Sequence, residues 1–156
     1  MHIRKATEED VHNFIHHVSE SDVAEFDARQ PHRNLLEVML EHLDDNSVVC
    51  VDDEGFIYAY GGNEENCVWF LTSQALTDSS TATKKEFIKQ ISSHRDSLLK
   101  QYDYLFNFVW SENLLHKHFL KSLGAIFLEN QGFNSEYTAE RFELFTISSP
   151  KEVPLV

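Results

Sequence analysis

Apolar positions change period repeatedly along the chain, and each change marks an element. Ile3–Thr7 alternates and ends on a hydroxyl residue followed by Glu8 and Glu9, after which Val11, Phe14, Ile15 and Val18 recur at helical spacing. That pattern predicts a strand, an N-cap and a helix. Glu20 to Pro31 is acidic and shows no clear apolar period, so it reads as a loop; Leu35, Leu36, Met39, Leu40 and Leu43 then mark a second amphipathic helix that stops at Asp44-Asp45-Asn46. Val48–Val51 and Phe56–Gly61 are β-rich runs separated by the turn Asp52–Gly55, a hairpin signal. After a turn at Asn63–Asn66, Cys67–Leu71 is a continuous apolar run of the kind found in strands buried on both faces.

Leu76–Lys84 is polar and hydroxyl-rich, with Ser79, Ser80 or Thr81 placed to cap the helix whose inner face is Phe87, Ile88, Ile91, Leu98, Leu99 and Tyr102. Tyr104–Trp110 is aromatic and β-branched. Asn113 opens a short helix with Leu115, Phe119, Leu120 and Leu123 inward, and Gly124 ends it. Ile126–Leu128 and Phe142–Ile147 are the last strands, joined by a polar excursion, and Ser149–Val156, with two prolines, reads as a loose tail. The order βααβββαβαββ predicts one α+β (mixed α/β) domain over residues 1–148, with a central, mostly antiparallel sheet of seven strands, helices on both faces and one parallel pair bridged by the long helix.

Composition adds bounds. A chain of 156 residues with 42% hydrophobic side chains can bury a core, and no run approaches the length of a membrane span. The N-terminus lacks the apolar region of a secretory signal, so a cytoplasmic protein is expected. Cys50 and Cys67 fit neither a disulfide framework nor zinc spacing and read as core thiols. The formal net charge is −13, and residues 1–70 carry 16 of the 26 acids but only 4 of the 13 bases. Such a field repels nucleic acid and anionic membranes and favours a basic partner, or serves solubility alone. His12 with His16, and His116 with His118, lack the further ligands zinc requires, so no metal is expected. Tyr58, Tyr60, Trp69, Phe70, Phe106, Phe108 and Trp110 fall on strands as core, or as the lining of a ligand cleft.

This order, together with Ile3-Arg4-Lys5-Ala6-Thr7-Glu8-Glu9-Asp10 and the run from Asn113 through Phe119, Leu120 and Leu123 to Gly124-Ala125, resembles the GCN5-related N-acetyltransferase (GNAT) superfamily over nearly the whole chain. The resemblance implies a V-shaped opening between Cys67–Leu71 and Tyr104–Trp110 that admits acetyl-CoA. It also implies direct acetyl transfer to an amine, with backbone groups of the fourth strand holding the pantetheine and a phosphate cradle in the next loop. Carried onto this sequence, the coenzyme contacts would be Leu71, Thr72, Ser73, Ser79, Ser80, Thr81, Thr83 and Asn113. Two features depart from the superfamily pattern. Thr72–Lys84 contains no glycine, and the position of the usual acid, a tyrosine, is Leu120, which has no proton to give. His116 and His118 flank Leu120 and are the candidates to replace it, the alternative for each being a solvated helix-surface histidine.

A second resemblance covers residues 58–147 and rests on Gly61-Gly62-Asn63, Trp69-Phe70, Asn107, Trp110, Asn113, Lys121 and Gly124-Ala125. It is to the GNAT-like internal virion protein A family of short-tailed podophages of the T-odd type. It implies a phage-encoded protein working in the host cytoplasm or in the virion, with phage or host proteins, basic ones among them, as partners. The alternative is an active acetyl-CoA-dependent N-acetyltransferase acting on a small molecule or host protein.

Overall fold

The computed structural model describes residues 1–149. The chain opens with β1 (His2–Lys5), then α1 (Glu8–Phe14), α2 (Glu20–Arg29) and α3 (Leu35–Glu41). The start of α1 is a capping box: Thr7 Oγ1 accepts from Asp10 N–H at 3.2 Å and Asp10 Oδ2 accepts from Thr7 N–H at 2.9 Å. Arg4 grips the same carboxylate bidentately, at 2.7 and 2.9 Å. The opening phrase of the sequence is therefore a joint between strand and helix.

Glu20–Arg29, expected to be a loop, is a helix capped by Ser19. Its inward stripe is Asp22, Glu25 and Ala28, spaced for a helix but written mostly in acids, so it carries no hydrophobic period.

The hairpins follow as β2 (Val48–Val51), β3 (Ile57–Glu64) and β4 (Cys67–Thr72), then a one-turn α4 (Gln74–Thr77) and the long α5 (Thr81–Leu99). β5 (Tyr104–Trp110), α6 (Leu114–Ser122), β6 (Ile126–Asn134) and β7 (Arg141–Ser148) complete a seven-stranded sheet of order β1-β2-β3-β4-β5-β7-β6, antiparallel except for β4 against β5. β6 runs beyond the expected Ile126–Leu128 because a register shift between Leu128 and Phe133 lets it pair with β7 again. Only glycine fits at Gly132, where a Cβ would lie 1.9 Å from Phe142 O. Of the expected loose tail Ser149–Val156, all but Ser149 lies outside the described residues.

Two layers of core cover the sheet. On one face α1 and α3 pack Val11, Phe14 and Met39 against Val49, Val51, Tyr60 and, half-buried, Trp69 and Leu71. On the other, α5 and α6 cover Leu105, Val109, Phe145 and Ile147, with Leu120 and Leu123 between them. α6 ends in a Schellman motif: Gly124 at φ +89° donates to Lys121 O, and Ala125 N–H donates to Leu120 O, each at 3.0 Å.

Candidate functional site

The parallel strands β4 and β5 share one registered pair, Cys67 with Phe106, and then part. The expected V-shaped opening is therefore present, and it opens toward Thr72 and Trp110. At its base, Asn107 Nδ2 donates to Val68 O at 2.8 Å, so a side chain spans the gap where ladder hydrogen bonds stop. At its mouth stands α2. Asp22 Oδ2 accepts from both the N–H (2.8 Å) and the hydroxyl (3.0 Å) of Thr72, and Glu25 Oε1 accepts from Trp110 N–H at 2.9 Å. The two arms of the V are thus tied by two carboxylates one helical turn apart.

Asn113 joins these groups. Its side chain caps α6 by accepting from His116 N–H at 3.2 Å, while its Nδ2 donates to Asp22 Oδ1 at 3.1 Å and to Glu25 Oε1 at 3.3 Å. His116, read as a helix-surface residue from sequence, is buried: its ring stacks on Phe70 at 4.4 Å and its Nδ1 lies 3.5 Å from Asp22 Oδ1. The geometry of that contact is too poor for a full hydrogen bond, and Nδ1 has no other partner.

Burial works against the charge on Asp22, but His116, Thr72 and Asn113 outweigh it and hold the carboxyl below its ordinary value. Burial likewise opposes charge on His116, yet Asp22 and Glu25 hold the imidazole above its ordinary value. Burial dominates at Glu25 and pushes its carboxyl up. A cavity of about 170 Å³ extends from these groups along the cleft, lined in part by Glu25, Phe70, Asn107, Phe108 and His116.

The remaining sequence candidates lie as follows. Leu71 packs into the core beneath α1 and α3, and Ser73 is buried as the N-cap of α4, its Oγ accepting from Leu76 N–H. Ser80 caps α5 through Thr83 N–H, and its hydroxyl lies 3.1 Å from that of Thr83. Ser79 binds Leu76 O through its hydroxyl and receives Lys84 Nζ on its own carbonyl. Thr81 is exposed, as is His118 on α6, while Leu120 is 1% exposed inside the core. The one-turn α4 takes up backbone donors after β4: Thr77 N–H binds Ser73 O, and Asp78 N–H binds Gln74 O. In this arrangement the groups that a coenzyme would use at Val68 O, at Thr72 and in the turn of α4 are partnered within the chain. A coenzyme seated on Val68 O and Thr72 N–H would have to displace Asn107 and Asp22.

Sequence reasoning missed Asp22 and Glu25, whose only signal was an acid pair three residues apart, and the bridging role of Asn107, a polar residue inside an aromatic strand. Among the described residues no group of three or more His, Cys, Asp or Glu could hold a metal ion, and no helix is long and apolar enough to cross a membrane. Burial pushes the Cys50 thiol up to about 11, as befits a core thiol, whereas Cys67 is only half-buried.

The fold is that of the GNAT acetyltransferases. A spermidine N-acetyltransferase from Vibrio cholerae, solved with CoA and spermine, superposes with a TM-score of 0.64 at 14% identity over 97% of each chain. A GNAT-family acetyltransferase from Bacillus anthracis does so at 0.65 and 11% identity, over 94% of this chain and 93% of that one. Within that fold class the chain belongs to the family described as Bacteriophage T7, probable scaffold protein Gp13, whose model matches residues 47–134. The probable scaffold protein gp13 of Escherichia phage T7 is 43% identical over 95 residues, which are 60% of this chain and 64% of that protein. The match thus spans less than two thirds of the curated relative.

Proposed function

We propose that this chain acts in phage particle assembly, through contacts with phage or host proteins in the infected cell or in the particle, on a GNAT scaffold that turns over no coenzyme. The observation that carries this reading is the closure of the β4–β5 opening by the chain's own side chains, Asn107 on Val68 and Asp22 on Thr72. Membership in a family named for a probable scaffold protein supports it. Leu120 adds that the helix after β5 presents no proton donor at the superfamily's usual position.

A second reading is favoured by the divergence of β4 from β5: acetyl transfer from acetyl-CoA to an amine, with the acidic N-terminal half attracting the acceptor. The two separate by experiment. Under the assembly reading, millimolar acetyl-CoA produces neither heat nor a change in melting temperature, and deleting the gene from its phage lowers the number of infectious particles per lysed cell. Particles of normal number and infectivity without the chain overturn the assembly reading. Saturable coenzyme binding with turnover establishes the second.

A further inference from the structure

Among the described residues one face of the β5-β7-β6 half of the sheet is covered by a helix only at one end. The register places Cys67, Phe106, Thr146 and Ile126 in one row, and Phe108, Leu144 and Leu128 in the next, all on the face that α1 and α3 cover only as far as Trp69 and Leu71. Beyond β4, among the described residues, the helix that meets that face is α2, at its far end, where Arg29 lies 4.7 Å over the ring of Phe133 and 5.6 Å from that of Phe142. Toward the other end, Tyr104 is 47% exposed and Ile126 62%, while Phe106, Leu128 and Leu144 are half-buried and belong to none of the three core clusters. A contiguous apolar face of this kind marks an interaction site.

The cations near this face, Arg29 over Phe133 and Phe142 and Arg141 bound to Glu129 O and Asn134 Oδ1, are held by the chain itself, and the unpaired charges around its Tyr104 end are acidic. Glu64 and Glu65 form the turn into β4, Asp103 precedes β5, and Glu129 follows Leu128 on β6; all four are exposed, and among the described residues none is in an ion pair. Lys100 and Lys121 close α5 and α6, in the layer on the opposite face. A second copy seated symmetrically on this face would set acid against acid. Nucleic acid and anionic lipid are repelled for the same reason.

We propose that this open half-sheet docks a basic amphipathic segment of another protein, apolar side chains against Tyr104, Phe106 and Ile126 and Lys or Arg toward the acidic rim. The proposal rests on the assembly reading and names the chemistry of its partner. A synthetic peptide of alternating leucine and lysine blocks, with a glutamate counterpart as control, serves as the probe on the full chain. The lysine peptide should bind and shift the backbone amides of residues 104–108, 126–128 and 144–146, and the glutamate peptide should not. Ile126→Asp, or Glu65→Lys with Asp103→Lys, should weaken it about tenfold, while Glu37→Gln on α3 leaves it unchanged.

Shifts confined to the acids of α1 to α3, or equal binding of both peptides, overturn the proposal. So does a concentration-dependent dimer that shifts the same amides, or a change at those amides when residues 150–156 are removed, each of which names a different occupant. Failure of the peptide to bind this face, with particle yield still dependent on the chain, sinks the docking site alone; normal particles without the chain sink the assembly reading alone.

Discussion

Asp22 and Thr72, fifty residues apart in sequence, form a closed pair in which one carboxylate oxygen receives both the amide and the hydroxyl hydrogen of the strand residue. The contact lies on the fourth strand, facing the side on which β5 has turned away. Because Asp22 also holds Asn113 and faces His116, removing it takes the carboxylate from the buried Thr72 N–H and hydroxyl and from the His116 ring at once. Asp22→Ala should therefore cost about 3 kcal/mol or more of stability, measured by urea unfolding. A loss under 1 kcal/mol would show that the pair contributes little.

The same cluster sets a pH dependence. His116 has a raised value in the folded chain, so its contribution is complete below the unfolded-state value of about 6.5 and is lost as pH rises through the folded value. Asp22 has a lowered value and acts in the opposite sense: its contribution is present above about 3.9 and is lost as pH falls through the folded value. Glu25, raised by burial, favours the folded state on the acid side. Stability should thus decline on the alkaline side of about pH 6.5, and His116→Phe, which keeps the stack on Phe70, should flatten that limb. An unchanged slope in the variant would assign it to other groups.

Leu120→Tyr places a phenol at the position of the superfamily's acid, buried against Leu105 and Leu123 at the wall of the cavity. Overpacking should lower stability by about 1–3 kcal/mol, with no acetyl transfer to any amine tested. Turnover in this variant would show that the cleft does admit the coenzyme.

Gly132→Ala drives a methyl into Phe142 O and should unpair the outer half of β6, seen as faster hydrogen exchange at Phe133 and Asn134 and a lower melting temperature. Thr7→Ala removes only a cap and should cost about 1 kcal/mol. If the two variants unfold alike, the close approach at Gly132 is relieved by the backbone.

The strands and the helices α1, α3, α5 and α6 were legible because their inward positions are apolar. α2 was not, because its inward positions are acids that meet polar partners rather than a core. The cleft was legible as a place, from the resemblance, but not as a closed one. Its closure depends on Asn107 reaching a carbonyl on the neighbouring strand and on carboxylates arriving from a helix that sequence periodicity hides. His116 looked solvated because helix period alone does not reveal that α2 lies over it.

The joint at Arg4, Thr7 and Asp10 bears on how chains of this kind are counted. In this chain a guanidinium, a hydroxyl and a carboxylate at those places turn the first strand into the first helix, apart from the cleft. A search keyed to that phrase therefore takes a census of architecture. It will enrol chains whatever their clefts do, and the contacts that mark the cleft of this one lie at Val68 O and Thr72.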